Sequence, residues 1–173
     1  MTTTTPDHPA RPAPPARPPL RGLSHLALSV DDLDAAAAFW RDVMGLEVTG
    51  HEPGLVFLVD RDARLGLGLT DHGGAVDGSF DHLRPGLDHV ALAVDGPDAL
   101  DAWAARLDAH GVDRSAVVRT DSGHHLNLRA PGGVAVELFV MSAETAVAFG
   151  LGDPSEGVAH GHGAALPAAG SPG

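Results

Sequence analysis

Residues 23–40, LSHLALSVDDLDAAAAFW, recur as residues 87–104, LDHVALAVDGPDALDAWA, with every position displaced by 64. Leu23, His25, Ala27, Leu28, Val30, Asp31, Asp34, Ala35 and Ala38 return as Leu87, His89, Ala91, Leu92, Val94, Asp95, Asp98, Ala99 and Ala102. So many identities at one spacing mark an internal duplication, and the architecture follows from reading its unit. Each copy opens on an alternating run, the pattern of a half-buried strand: Leu26, Leu28 and Val30 share one face, His25, Ala27 and Ser29 the other. A helix follows. In the first copy Asp31 or Asp32 caps it, Leu33, Ala37, Trp40 and Met44 form the inward stripe, and Gly45 ends it. In the second, Pro97 suits the first turn, Leu100, Trp103 and Leu107 form the stripe, and Gly111 ends it. The repeated Asp31 and Asp95 read as helix caps and both tryptophans as core anchors. Three short strand-like runs complete each copy, near 46–50, 54–60 and 63–70, then near 114–120, 124–129 and 133–140. The unit is β-α-β-β-β, used twice, so the fold class is α+β with two tandem βαβββ modules.

Module one spans 21–70, a linker 71–86, and module two 87–141. Met1–Leu20 holds seven of the 14 prolines, which removes backbone donors and favours an extended chain, so residues 1–20 read as a disordered tail. That tail lacks the apolar core of a signal peptide, and a cytoplasmic location is the expectation. From 142 to 173 alanine and glycine dominate and periodicity fades, which reads as a flexible C-terminal tail apart from a short helical pattern near Glu144–Phe149. His160 and His162 within it read as solvated residues.

The 173 residues contain no cysteine, no tyrosine and no lysine; all 11 basic residues are arginine. Disulfides, thiolate nucleophiles, cysteine-ligated metals, Schiff-base lysines and tyrosine acids are therefore excluded. Against this stand 11 histidines and 23 carboxylates, so any chemistry rests on imidazole, carboxylate, hydroxyl, arginine or a bound metal. A net charge of −12 with scattered arginines argues against nucleic acid and against an anionic membrane surface as partners. A small molecule is the expected partner.

The duplication, the strand-borne His25 and His89, and the terminal run GGVAVELFV at 132–140 resemble the vicinal oxygen chelate superfamily. It includes glyoxalase I, type I extradiol dioxygenases, methylmalonyl-CoA epimerase and the fosfomycin- and bleomycin-resistance proteins. The resemblance covers about residues 22–141. It implies that two modules pair so that their sheets form a curved open barrel around the active site, either within one chain or across a homodimer; a homodimer is expected here.

Strand parity places His25 and His89 opposite the leucine and valine faces that pack under the helices. On the last strand Val134, Val136 and Leu138 take the helix side, leaving Ala135, Glu137 and Phe139 on the barrel side, so two imidazoles and one carboxylate point into one cavity. The resemblance implies that His25, His89 and Glu137 bind a divalent metal. Two histidines and a carboxylate suit Fe(II), and Mn(II), Ni(II), Co(II) or Zn(II) fit the same ligands. The pseudo-symmetric mate of Glu137 falls at Gly68, where glyoxalases and epimerases of the family usually supply glutamate or glutamine. That departure points to the three-ligand pattern of extradiol dioxygenases and fosfomycin-modifying enzymes.

His72 follows Gly66, Gly68 and Thr70 in parity and is a candidate acid–base residue at the cavity mouth; His125 is a second. Asn127 and Arg129 alternate with Leu126 and Leu128 and are candidate substrate-binding residues, Arg129 as a carboxylate clamp. Extradiol dioxygenases commonly place a tyrosine in this region, and His125 or Asn127 has to substitute. His124 points to the other face, and His51, His82 and His110 receive no role. The resemblance thus implies a metal-dependent extradiol-type dioxygenase, with an isomerase, lyase or epoxide-opening enzyme, or a metal-free resistance protein, as alternatives.

Overall fold

The computed structural model describes residues 16–20 and 22–152. The expectations for residues 1–15, for His160 and His162, and for the rest of 153–173 lie outside them. Module one runs β1 (Leu26–Ser29), α1 (Leu33–Ala38), β2 (Glu47–Glu52), β3 (Leu55–Asp60) and β4 (Leu65–Thr70). Module two repeats the order as β5 (Val90–Ala93), α2 (Pro97–Ala109), β6 (Val118–Thr120), β7 (Gly123–Arg129) and β8 (Ala135–Met141). Each module folds its strands into a mixed four-stranded sheet, in the orders β1-β4-β3-β2 and β5-β8-β7-β6, which are the same topology. In each sheet the first strand pairs parallel with the last, and the remaining pairs are antiparallel. The two sheets do not share a ladder, so within this chain they are not closed into a barrel.

The apolar parity seen in the sequence becomes one core. Leu28, Val30, Val56, Leu58, Leu67 and Leu69 from the first sheet and Leu126, Leu128, Val136 and Leu138 from the second are buried in a single cluster with Trp40, Leu100 and Leu107. Each such leucine removed from water contributes about 1.5–3 kcal/mol, so the helix side of both sheets is the stability of the domain. Trp40 is an interior anchor at 1% exposure. Trp103 packs at the margin of the core, with the Arg106 guanidinium 6.0 Å from its ring centre.

Arg106 also ties the modules together. Its Nε donates to the Val43 carbonyl at 2.6 Å and its Nη2 to the Asp42 carbonyl at 2.8 Å. These carbonyls lie at the end of the five-residue π-helical extension of α1, Phe39–Val43, where helix carbonyls lack intrahelical donors. The segment ends at Gly45, whose φ of 87° is the left-handed conformation that glycine adopts at little cost.

Three local expectations are corrected. Asp32, not Asp31, caps α1, accepting from the Ala35 amide at 2.9 Å. Asp95 does not cap α2, because Pro97 begins the helix and Gly96 takes the cap position without a side chain. The strand read at 114–120 is regular only over Val118–Thr120. Arg114 makes one isolated bridge to Leu128 while its guanidinium turns to Asp108 and the Ala104 carbonyl, and the Ser115 hydroxyl takes the Asn127 amide. Beyond Ser142 the short helical pattern near Glu144–Phe149 forms α3 (Ala143–Ala148), capped by the Ser142 hydroxyl and docked through buried Ala146.

Candidate metal site

The open face of each sheet carries the polar positions. On β8, Val136 and Leu138 are buried, and Glu137 between them faces the cleft with a side chain 18% exposed. His89, just before β5, brings its Nε2 to 3.5 Å from one Glu137 carboxylate oxygen. His125 on β7 brings its Nδ1 to 3.9 Å from the other. The His125 ring stacks on Phe139, with centres 6.4 Å apart and planes at 23°, which fixes its orientation toward the carboxylate. Asn127 pairs directly across from Glu137 in the β7–β8 ladder. Arg129 stands two residues on and donates to the Gly133 carbonyl at 3.2 Å. His82, Asp88, His89, Asn127, Arg129 and Glu137 line a cleft of about 200 Å³.

The first sheet offers a different surface. His25, Thr49, Phe57, Val59 and Gly68 line a second cleft of about 320 Å³. Phe57 is 43% exposed, and its ring spans the neighbouring strands: a Cβ built on Gly50 would lie 3.3 Å from one edge and a Cβ on Gly68 3.7 Å from the other. Ala27 pairs with Gly68 in the first sheet as Ala91 pairs with Glu137 in the second, so Gly68 occupies the mate position of Glu137. The same registers make Phe57 the mate of Asn127. The fold has duplicated, and the chemistry of its two open faces has not.

The sequence-derived candidates therefore separate. His89, Glu137, Asn127 and Arg129 line one cleft, with His125 beside Glu137, whereas His25 lines the other. Among the described residues no three histidine, aspartate or glutamate side chains stand close enough to hold a metal. Within a single chain His25 lines one cleft and His89 and Glu137 line another, above a core that both sheets share. His72 follows β4 with φ of 52°, and its Nε2 is 3.0 Å from the Ser29 hydroxyl, at the far end of β1. Ser29 lies four positions beyond His25, roughly 13 Å along an extended strand. His124 turns its Nδ1 into the protein, buried and without a hydrogen-bond partner.

Three residues that the sequence reading passed over line these clefts or touch the candidate ligands. His82, from the linker, lines the Glu137 cleft. Asp88 accepts from His89 Nδ1 at 2.6 Å, and Ser24 lies 3.2 Å from His25 Nδ1. The hydrogen bond from His89 holds the Asp88 carboxyl below its usual range. Ser24 and Asp88 are equivalent positions of the duplication, and that equivalence was the available signal.

The donor set suits a divalent cation. Glu137 is a largely buried carboxylate whose ion-pair partners among the described residues are two imidazoles, which carry no fixed charge. Imidazole nitrogen with carboxylate oxygen is the ligand chemistry of first-row divalent metals.

A duplicated βαβββ chain with strand-borne imidazoles and a carboxylate on its open faces defines a class, the vicinal oxygen chelate proteins. Over residues 22–138 the chain matches the model of the Glyoxalase/Bleomycin resistance protein/Dioxygenase superfamily, and it belongs to that family. Among solved structures it is similar to lactoylglutathione lyase from Agrobacterium tumefaciens, at 31% identity and a TM-score of 0.58, covering 70% of this chain and 94% of that one. A glyoxylase/bleomycin resistance protein/dioxygenase domain from Frankia sp. EAN1pec is 26% identical with a TM-score of 0.60, covering 72% and 94%. TnmS3, an antibiotic binding protein from Streptomyces sp. CB03234, shares the fold at 22% identity and a TM-score of 0.56, covering 71% and 98%. No curated protein is a significant match. Among the described residues no helix is long and apolar enough to cross a membrane.

Proposed function

We propose that the protein is a metal-dependent enzyme acting on a small molecule that presents two adjacent oxygens. His25, His89 and Glu137 are its ligands, with iron(II) as the first-ranked ion and manganese, nickel, cobalt or zinc as the others. The observation that carries this reading is Glu137, largely buried between His89 and His125, while its mate in the other module is Gly68. One carboxylate and two imidazoles leave coordination positions open, the facial pattern of non-haem iron(II) oxygenases, and this ranks an extradiol-type dioxygenase first. When bound, the ion supplies a Lewis acid for the substrate oxygens and, as iron(II), a site for dioxygen.

The chain's own groups do the rest. Asn127 and Arg129 line the Glu137 cleft and orient the substrate, Arg129 as a clamp for a carboxylate. His125 and His72 are the imidazoles suited to taking and returning a proton near neutral pH. His125 is the better placed, being 3.9 Å from Glu137, while His72 sits at the far end of β1 beside Ser29.

Completion of this site takes a second copy of the chain. His25 and the His89–Glu137 pair open into separate clefts here. A homodimer that sets the first sheet of one subunit against the second sheet of its partner joins the ligands and gives two equivalent sites. Exposed Leu23, Val48, Phe57 and Leu87 supply apolar surface for that contact. Purification without oxygen followed by elemental analysis tests the reading: one iron per chain is the expected result, and no stoichiometric divalent metal refutes it. Similarity to lactoylglutathione lyase favours a second reading, lyase or isomerase chemistry at the same ligands. Turnover under strict anaerobiosis would establish that alternative and exclude the dioxygenase.

A further inference from the structure

Ser24 and Asp88 precede the two candidate histidine ligands, stand at equivalent places in the duplication, and both meet the Nδ1 atom of the following ring. Their geometry differs in a way that matters chemically. Asp88 accepts at 2.6 Å and is a carboxylate, so the ring proton must sit on His89 Nδ1 for that hydrogen bond to form. The competing acceptor is Glu137, whose oxygen is 3.5 Å from His89 Nε2, beyond a good hydrogen bond. The shorter, charge-assisted contact decides the tautomer, and it leaves the Nε2 lone pair facing Glu137. Ser24 stands farther off, at 3.2 Å, and its hydroxyl either donates or accepts, so it restrains the His25 ring without dictating where the proton sits.

We propose that Asp88 is a positioning residue that locks His89 with its Nε2 presented for coordination, and that Ser24 does this weakly for His25, making the two imidazoles unequal ligands. The proposal rests on the metal reading above. An imidazole whose outer N–H is held by a carboxylate is both pre-oriented and more basic than one held by a hydroxyl, so His89 with Glu137 forms the strong half of the site and His25 the weak half. Asp88 itself is exposed, with 72% of its side chain open to water, so replacing it does not disturb the core.

Two measurements test this. In metal-free protein at about pH 8, above the ordinary imidazole range, nitrogen-resolved NMR of the histidine rings is expected to show His89 as the Nδ1–H tautomer. Asp88→Ala converts it to a mixture or to the Nε2–H form. With iron(II) or zinc in competition with a chromophoric chelator, Asp88→Ala weakens binding about 10–100-fold, the usual cost of losing such a partner, and Ser24→Ala weakens it less. Ser24→Asp tightens it, which a merely structural role for the position does not explain. A wild-type His89 in the Nε2–H form, or an Asp88→Ala protein unchanged in both tautomer and affinity, overturns the proposal. A wild-type protein that binds no divalent metal yet loses the Nδ1–H tautomer in Asp88→Ala overturns the metal reading and leaves the positioning intact.

Discussion

Gly68 and Glu137 occupy one place in two copies of the same sheet: Gly68 pairs with Ala27 and Glu137 with Ala91, residues that are themselves equivalent in the duplication. A two-fold pseudo-symmetric chain thus carries a carboxylate on one open face and bare backbone on the other. Replacing Gly68 by glutamate restores the missing donor. A Cβ there meets Phe57 at 3.7 Å and Ala27 at 3.8 Å, ordinary contact distances, so the backbone site admits a side chain. On the proposed dioxygenase reading, the Gly68→Glu protein is expected to bind divalent metal more tightly and to lose oxygen-dependent turnover, because the new ligand takes a position that substrate or dioxygen needs. Chelator competition and oxygen uptake measure the two effects.

Removing Glu137 or His89 is expected to be more damaging than any change around them. His89→Ala and Glu137→Ala should each lower metal affinity by more than the roughly 10–100-fold that outer partners cost. Metal content after dialysis reads this directly, and retention of full occupancy in either variant would exclude that residue as a ligand.

Mixing His25→Ala protein with Glu137→Ala protein distinguishes a site built within one chain from one built between two. A mixed dimer places the intact His25 of one subunit opposite the intact His89 and Glu137 of the other. Random exchange is then expected to recover about a quarter of wild-type metal content, while a site within one chain recovers none.

Arg106→Ala removes the two hydrogen bonds that join α2 to the Val43 and Asp42 carbonyls and uncovers the Trp103 ring. A loss of about 1–3 kcal/mol in unfolding free energy is expected, with a lower denaturant midpoint and an unchanged m-value.

Acid sensitivity has an identifiable contributor in Asp108. Its hydrogen bond to Arg114 holds its carboxyl below the ordinary value. A carboxyl lowered by folding contributes stability above its unfolded pKa of about 3.9 and loses it as the pH falls through the lowered folded value. Asp108→Asn is therefore expected to be less stable than wild type near neutrality and equally stable at the acid limit, a difference that thermal melts across that range resolve.

The fold was legible because its determinants are local and repeated. Alternation around Leu26–Val30, helix stops at Gly45 and Gly111, and one constant displacement together dictate two βαβββ units, whatever the partners of each strand turn out to be. Glu137 was legible for the same reason, since parity with Val136 and Leu138 decides its face. Arg114 was not, because the side-chain contacts to Asp108 and Ala104 that pull it out of the strand cross between elements.

What the sequence determined by itself is therefore the duplicated architecture, its buried faces and the identity of the polar residues on the open ones. Tertiary structure decided how those faces are disposed. Both sheets bury their helix sides in one common core, and His25 and Glu137 open into different clefts. Periodicity records which side of a strand a residue takes; the distance between two strands' open sides depends on how whole layers pack, which no local pattern encodes.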